Sequence, residues 1–223
     1  MIRLIDAKKY YGKGDQKVKA LDGINLQINQ GDMIAIMGTS GSGKTTLLNI
    51  IGGMDQLTAG EFWYRDNNIA PLKGRKLHEY RKKNISFVFQ NFLLIDRYTV
   101  YENIEIPLLA RKVKNRKKRI TEYLDYLDIA DIANKKVTKI SGGQQQRCAI
   151  ARALVADTSI ILADEPTGAL DQNTSGEIMK LLKKINQDSG KTIVIVTHDK
   201  EVAGYCNQTY HLQDGRIQDE QTN

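Results

Sequence analysis

The chain has 223 residues, 41% hydrophobic and 26% charged, which is ordinary for a soluble globular protein and allows one large domain or a core with an inserted subdomain. No apolar run approaches the ~20 residues that cross a bilayer, and the N-terminus lacks the apolar core of a secretory signal. The two cysteines show neither metal-like spacing nor a dense disulfide pattern, so we expect a cytoplasmic protein. The net charge of +7 does not exclude nucleic acid as a partner.

Residues 1–30 alternate short apolar and polar runs, with Gly12, Gly14 and Gly23 as turn residues. This pattern predicts antiparallel strands that lead into the next element. Tyr11 lies here, and its ring could stack on a purine, although tyrosines are common in strands.

A glycine-rich stretch at residues 38–45 matches the phosphate-binding pattern G-x-x-x-x-G-K-[ST]. The apolar run Met33–Met37 before it predicts a buried strand, and Thr46–Ile51 after it predicts a helix that ends at Gly52-Gly53. Glycines let the backbone approach a triphosphate, its N–H groups converge on the anionic oxygens, and the helix N-terminus adds partial positive charge.

Within this loop, Lys44 is predicted to reach the β- and γ-phosphates, and the Thr45 hydroxyl is predicted to ligate Mg²⁺. We expect nucleotide contacts from the whole loop: Gly38, Thr39, Ser40, Gly41, Ser42, Gly43, Lys44, Thr45 and Thr46.

The next segments predict a strand at residues 60–69 that turns at Asp66-Asn67-Asn68, and a charged helix at residues 75–83. Ile85–Phe89 predicts a second buried strand, which ends at Gln90. A polar side chain at the carboxyl end of a central strand is where open α/β sheets place groups that contact a ligand.

From residue 91 to about 139 the pattern is helical, with apolar residues at Ile120, Tyr123, Leu124 and Leu127. Only the short stretch before Pro107 has strand character. The segment therefore predicts an inserted helical subdomain.

A basic run occupies residues 111–119, where seven of nine side chains are basic and no aromatic residues interleave to stack on bases. We favour a solvated helix or loop face, with anionic lipid headgroups as the second interpretation and nucleic acid as the third.

Residues 140–147 open a predicted helix in which Ser141 is the N-cap. This is a second anion-binding helix N-terminus, and one triphosphate does not require two. A symmetric dimer, in which each copy's second loop closes over the other's nucleotide, is the simplest explanation.

The strand Ser159–Ala163 is followed at once by Asp164 and Glu165. Apolar residues before an aspartate form the Walker B pattern, in which Asp164 is aimed at Mg²⁺. Glu165 is placed to polarise an attacking water as a general base. The strand Thr192–Val196 is followed by His198, a candidate sensor of the γ-phosphate.

With these motifs in this order, the chain resembles the nucleotide-binding domain of ATP-binding cassette (ABC) transporters over essentially its whole length. The resemblance implies that Tyr11 stacks on adenine and is flanked by Val18, that residues 141–145 are the signature motif, and that Asp171 lies in the D-loop. It implies further nucleotide contacts from Gln90, Ser141, Gly142, Gly143, Gln144, Gln145 and Asp171, Mg²⁺ ligation by Thr45, Gln90 and Asp164, and catalysis by Glu165 and His198.

Three stretches, residues 49–55, 87–90 and 163–171, are similar to the ATPase subunits of macrolide exporters, lipoprotein-release systems and antimicrobial-peptide exporters. The resemblance implies ATP and Mg²⁺ as cofactors, a homodimer that sandwiches ATP, and a separate membrane permease. It places the subunit on the inner face of the cell membrane.

Two other functions are less consistent with the sequence. ABC-type ATPases that act on DNA or ribosomes usually carry long coiled-coil or tandem-cassette insertions, for which this chain has no room. Guanine-specific switches normally carry Asn-Lys-x-Asp, and the nearest match, residues 134–137, lacks the aspartate.

The fold class predicted is α/β: a P-loop NTPase core with a mostly parallel sheet flanked by helices, an N-terminal antiparallel β subdomain and an inserted helical subdomain. We assign residues 1–90 and 159–223 to the β subdomain and core, and residues 91–158 to the helical subdomain. An apolar set near Gln90 is predicted to dock a helix of the permease, with Leu93 or Leu94 as an exposed member. The set comprises Phe92, Leu93, Leu94, Ile95, Ile104, Ile106, Leu108 and Leu109.

Overall fold

The computed structural model describes residues 1–12 and 14–222, and the strands in this part of the chain form two sheets. An antiparallel sheet has the order β2-β1-β4-β5, and a larger one has the order β10-β9-β3-β8-β7-β6. In the larger sheet only β10 runs antiparallel to its neighbour. The strands are β1 (Ile2–Tyr11), β2 (Val18–Ile28), β3 (Met33–Met37), β4 (Ala59–Tyr64), β5 (Asn67–Asn68), β6 (Ile85–Phe89), β7 (Ile160–Asp164), β8 (Thr192–Thr197), β9 (Gln208–Gln213) and β10 (Arg216–Thr222).

Three α-helices, α3, α4 and α5, and two short 3-10 helices, Ala130–Ile132 and Val137–Lys139, lie between β6 and β7, inside the range 91–158 that the sequence assigns to a helical subdomain. Among the described residues, no helix is both long enough and apolar enough to cross a membrane. The helices are α1 (Lys44–Ile51), α2 (Gly74–Asn84), α3 (Val100–Ala110), α4 (Arg116–Tyr126), α5 (Gly142–Val155), α6 (Gln172–Ser189) and α7 (Lys200–Ala203).

The central strands β3, β7 and β8 of the larger sheet are buried on both faces, which explains why they are almost entirely apolar. Side chains alternate across a strand, so neighbours in β3 enter different cores. Ala35 packs with the helices between β6 and β7, whereas Ile34 packs with α1 and the antiparallel sheet. The carboxyl ends of β3, β6, β7 and β8 therefore meet at one edge, between two packed layers.

Gly23 was predicted as a turn residue, and this is wrong. Ala7 pairs with Ile24 and Lys8 pairs with Asp22, so Gly23 is the extra residue of a bulge inside β2. Its φ of +88° is tolerated because glycine has no side chain.

The turn predicted at Asp66-Asn67-Asn68 starts earlier in the structure. Arg65 has a φ of +52° and turns with Asp66, and Asn67 and Asn68 then form β5 against Trp63 and Tyr64. Asn68 and its neighbours therefore extend the sheet rather than leave it.

The strand character before Pro107 is also overturned, because these residues belong to α3. Val100, Ile104 and Leu108 are spaced by four and are fully buried, which is a helical period. The helix begins at a capping box between Thr99 and Glu102.

The basic run at residues 111–119 divides into two kinds of side chain. The arginines make specific contacts: Arg116 pairs with Glu105 at 2.7 Å, and Arg119 pairs with Asp157 at 3.3 Å. Its lysines are all exposed to solvent. The predicted solvated face therefore describes the lysines, while Arg116 and Arg119 attach α4 to its neighbours.

Candidate functional site

A cavity of about 1290 Å³ opens at the edge where β3, β6, β7 and β8 end. It gathers most of the residues predicted for nucleotide binding and catalysis. Those that line it are Val18, Thr39, Ser40, Gly41, Gly43, Lys44, Thr45, Thr46, Gln90, Asp164, Glu165 and His198. Six further lining residues were not predicted for this site: Lys19, Ala20, Phe89, Asn91, Leu93 and Asp214.

The loop between β3 and α1 can curl this tightly because two of its glycines touch neighbouring backbone. A Cβ on Gly43 would lie 2.3 Å from the Ala20 carbonyl oxygen, and one on Gly38 would lie 2.2 Å from that of Leu212. Gly43 also has a φ of +106°. The loop therefore packs directly against the backbone of β2 and β9, and a side chain at Gly38 or Gly43 would displace the loop.

Helix α1 points its N-terminus into the cavity. The N-cap is Gly43, so no side chain caps the first amides of the helix. The Lys44 ammonium lies across the loop and donates to the carbonyl oxygens of Gly38 at 2.7 Å and Thr39 at 2.9 Å. Uncapped amides and a lysine together make an anion site that suits phosphate oxygens.

Asp164 ends β7 and faces the same cavity. Burial raises the pKa of its carboxyl, the nearby Glu165 raises it further, and Lys44 opposes both effects. The Thr45 hydroxyl, the Gln90 amide and the Asp164 carboxylate provide the hard oxygen ligands that Mg²⁺ prefers. This donor set fits Mg²⁺ that arrives with phosphate oxygens, and a cation would offset the crowded negative charge.

Glu165 is held in an unusual backbone conformation, with a φ of +46°. Its N–H donates to the Val196 carbonyl oxygen at 3.0 Å, so the residue stays attached to β8. Its Oε1 lies 2.8 Å from His198 Nδ1, and its Oε2 accepts from the Thr197 hydroxyl at 3.1 Å. The predicted pair of Glu165 and His198 is therefore in contact.

Thr197 is a further residue of the site that sequence reasoning missed. The signal was its place in a parallel sheet, since it ends β8 beside the residue that follows β7. A lone threonine at a strand end is too common to single out without that register.

Gln90 leaves β6 and packs against the loop that follows Glu165. A Cβ on Gly168 would lie 2.7 Å from Gln90 Nε2, so the glycine makes room for the amide. Beyond Gln90, Phe92 and Leu93 have φ values of +55° and +46°. Arg152 of α5 donates to their carbonyl oxygens at 2.8 and 2.6 Å, which ties α5 to this turn.

Tyr11 does not line the cavity, whereas Val18 does. The Tyr11 hydroxyl donates to Asp55 Oδ2 at 2.6 Å, and the Lys9 ammonium lies 4.8 Å from its ring centroid. Lys9 therefore lies over the ring that was predicted to stack on adenine. The stacking role of Tyr11 stays a prediction.

The predicted signature segment lies apart from the main cavity. Ser141 Oγ accepts from the Gln144 N–H at 3.3 Å, and Gln144 Oε1 accepts from the Ser141 N–H at 3.0 Å, which confirms the predicted N-cap. The segment lines another cavity of about 310 Å³, together with Asp171. The structure does not bring Ser141 and Lys44 into one cavity within a single chain.

The family described as "ABC transporter" matches residues 21–168. The chain belongs to that family. This ABC protein is 45% identical to the uncharacterized ABC transporter ATP-binding protein MJ0796 of Methanocaldococcus jannaschii, over 99% of this chain and 97% of the relative. It is 40% identical to the lipoprotein-releasing system ATP-binding protein LolD of Alcanivorax borkumensis, over 94% of this chain and 92% of the relative.

The ABC cassette fold is confirmed by solved structures. A dimeric structure of MJ0796 in a post-hydrolysis state, bound to ADP and Pi, has a TM-score of 0.89 and 43% identity, covering 100% of this chain and 98% of that one. The macrolide export ATP-binding/permease protein MacB of Hyphomonas neptunium is 40% identical over 97% of this chain, which spans 34% of that longer relative.

Proposed function

We propose that this ABC ATPase is the subunit that powers a separate membrane permease, of the type that exports peptides, lipoproteins or antibiotics. LolD, a lipoprotein-releasing system protein, supports this placement because it matches over nearly its whole length. MacB, a macrolide export protein, supports the export class. The subunit would then lie on the inner face of the cell membrane, attached through its permease.

The chain binds ATP with Mg²⁺ in the main cavity. In this proposal, the amides of residues 38–45 and the Lys44 ammonium hold the phosphates. Thr45, Gln90 and Asp164 hold Mg²⁺, which neutralises charge on the phosphates when it is bound.

We also propose that residues 1–90 and 159–223 form the β subdomain and the core, and that residues 91–158 form the helical subdomain.

Glu165 performs the proton chemistry in this proposal. Its carboxylate accepts hydrogen bonds from Thr197 and contacts His198, so it faces the cavity in a fixed orientation. From there it polarises the water that attacks the γ-phosphate. His198, whose side chain is 75% exposed, can turn from Glu165 to the phosphate.

ATP closes a dimer of two copies of this chain. Ser141 and its neighbouring residues line a different cavity from Lys44 of their own chain, so in this proposal they contact the γ-phosphate bound by the partner. Asp171, which shares the smaller cavity with Ser141, lies at the same interface. One observation carries the proposal: Lys44, Asp164 and Glu165 converge on one cavity that lacks the Ser141 segment.

Two substitutions in the purified chain test these roles. Glu165→Gln should keep ATP affinity and lower the rate of phosphate release by about 10²–10⁴-fold, because it removes the general base. Lys44→Ala should instead weaken ATP binding itself, because it removes the cation facing the phosphates. Near-normal phosphate release from Glu165→Gln would contradict the role of Glu165.

A further inference from the structure

The two side chains that contact the Glu165 carboxylate differ sharply in their surroundings. The His198 side chain is 75% exposed, whereas Thr197 is only 1% exposed. An exposed imidazole can leave its partner at little cost, but a buried threonine at a strand end keeps its position. One contact is therefore suited to break during the reaction and the other to persist.

The hydrogen bonds around Thr197 fix the direction of its hydroxyl proton. The Asp199 N–H donates to Thr197 Oγ1 at 3.0 Å, so the hydroxyl acts there as an acceptor. A threonine hydroxyl has one proton to donate, and an ionised carboxylate only accepts. The proton therefore points to Glu165 Oε2, 3.1 Å away.

The backbone of Glu165 supports the same conclusion. A φ of +46° is uncommon outside glycine and persists only where the surroundings hold it. The Glu165 N–H donates to Val196 of β8, and the Glu165 carbonyl accepts from the Gly168 N–H, both at 3.0 Å. Main chain and side chain of Glu165 are thus both attached to the end of β8.

We propose that Thr197 is a positioning residue that holds the Glu165 carboxylate in its reactive orientation while His198 turns to the phosphate. This inference rests on the proposed role of Glu165. Thr197 does not line the main cavity, so it acts through the carboxylate that it orients.

The test compares ATP hydrolysis by the full chain with that of Thr197→Val and Thr197→Ser. Valine keeps the branched shape but cannot donate, so kcat should fall about 10- to 100-fold, the cost expected when a reacting group is misplaced, with little change in KM. Serine keeps the donor and should restore most of the rate. Thr197→Ala, which removes the hydroxyl without adding an apolar group beside the carboxylate, repeats the comparison should the valine variant not fold.

Thr192 provides a matched control at the other end of the same strand. It is fully buried, its hydroxyl accepts from the Gly31 N–H at 2.9 Å, and it donates to the Asn29 carbonyl oxygen at 3.3 Å. Thr192→Val therefore removes the same pair of hydrogen bonds far from Glu165. It should lower the melting temperature without lowering kcat.

A second measurement separates positioning from damage to the fold. If only hydrolysis is slowed, Thr197→Val should bind ATP normally and accumulate an ATP-bound dimer, seen by size-exclusion chromatography. Wild-type kcat in Thr197→Val, equal losses in Thr192→Val, or a serine variant as slow as the valine variant would each overturn the inference. Loss of turnover in Glu165→Gln with none in Thr197→Val overturns only the positioning role of Thr197, whereas full turnover in Glu165→Gln overturns the proposed role of Glu165 as general base.

Discussion

The N-termini of helices α1 and α5 differ in whether a side chain caps their first amides. Helix α1 begins after Gly43, which offers no side-chain cap, and it opens into the cavity of Lys44 and Glu165. Helix α5 begins at Ser141, and Ser141 and Gln144 cap each other. At the first end no side chain caps the amides, so a phosphate can bind them, whereas at the second end the capping box occupies the Ser141 and Gln144 amides. This difference supports the proposal that one copy forms only part of the site and that α5 completes the site of another copy.

A side chain added to the loop before α1 should have the largest effect. Gly43→Ala should abolish ATP binding, because its Cβ would lie 2.3 Å from the Ala20 carbonyl oxygen at a φ of +106°. Gly190→Ala, at the end of α6 and outside the cavity lining, is the control, since its Cβ meets nothing within 4 Å and only its φ of +61° is unfavourable, at about 1–2 kcal/mol. ATP affinity measured by calorimetry checks both. Normal affinity in Gly43→Ala would contradict the account of this loop.

A second prediction compares two adjacent leucines of α3, which packs against α5. Leu108 is 1% exposed and Leu109 is 50% exposed. Leu108→Ser should destabilise the fold by about 2–5 kcal/mol, since it removes a buried side chain and leaves a cavity. Leu109→Ser should leave stability and basal hydrolysis unchanged but weaken stimulation by the permease. Unfolding curves and ATPase rates with the permease present distinguish the two.

Leu93 was predicted to be an exposed member of the docking set. Its position in the structure nevertheless makes it unsuitable for this test. Although Leu93 is 57% exposed, it lines the main cavity, so its substitution could alter hydrolysis directly. Leu94 packs partly against the core. If Leu109→Ser lowers basal hydrolysis, the docking surface is wrongly assigned.

The smallest effect on stability is expected from removing either of two capping boxes, one at the start of α3 and one at the start of α5. Ser141→Ala and Thr99→Ala each remove a helix cap, worth about 1 kcal/mol, from α5 and α3. Stability should fall by a similar amount in both. Only Ser141→Ala should also slow hydrolysis, because only Ser141 serves a partner's nucleotide. Equal rates in the two variants would mean that Ser141 is a cap alone.

Much of the fold could be predicted because the buried strands are short apolar runs with polar residues at their ends. Met33–Met37 and Ile85–Phe89 are strands with the predicted bounds, and the residues after them line the cavity. Gly23 could not be placed, because a bulge depends on the register of two strands. The α3 helix was obscured because Pro107 and its β-branched neighbours also suit a strand.

The site shows the same limit. Short contiguous motifs contain Lys44, Thr45, Asp164 and Glu165, so the chemistry of these residues could be predicted from the sequence. Thr197 and Arg152 act through contacts between elements that are far apart in the chain, so only the three-dimensional register reveals them. Tyr11 shows the reverse case, since a suggestive residue lies outside the cavity.

We propose that the Lys44 cavity of one copy is completed by the Ser141 segment of another. Sedimentation of the Glu165→Gln chain with saturating ATP and Mg²⁺, alone and combined with Ser141→Arg, measures this closure. We expect a dimer for Glu165→Gln and a monomer for the double variant, because the arginine blocks the segment that closes over the partner's nucleotide. A monomer in Glu165→Gln at saturating ATP, or an unchanged dimer in the double variant, would contradict it.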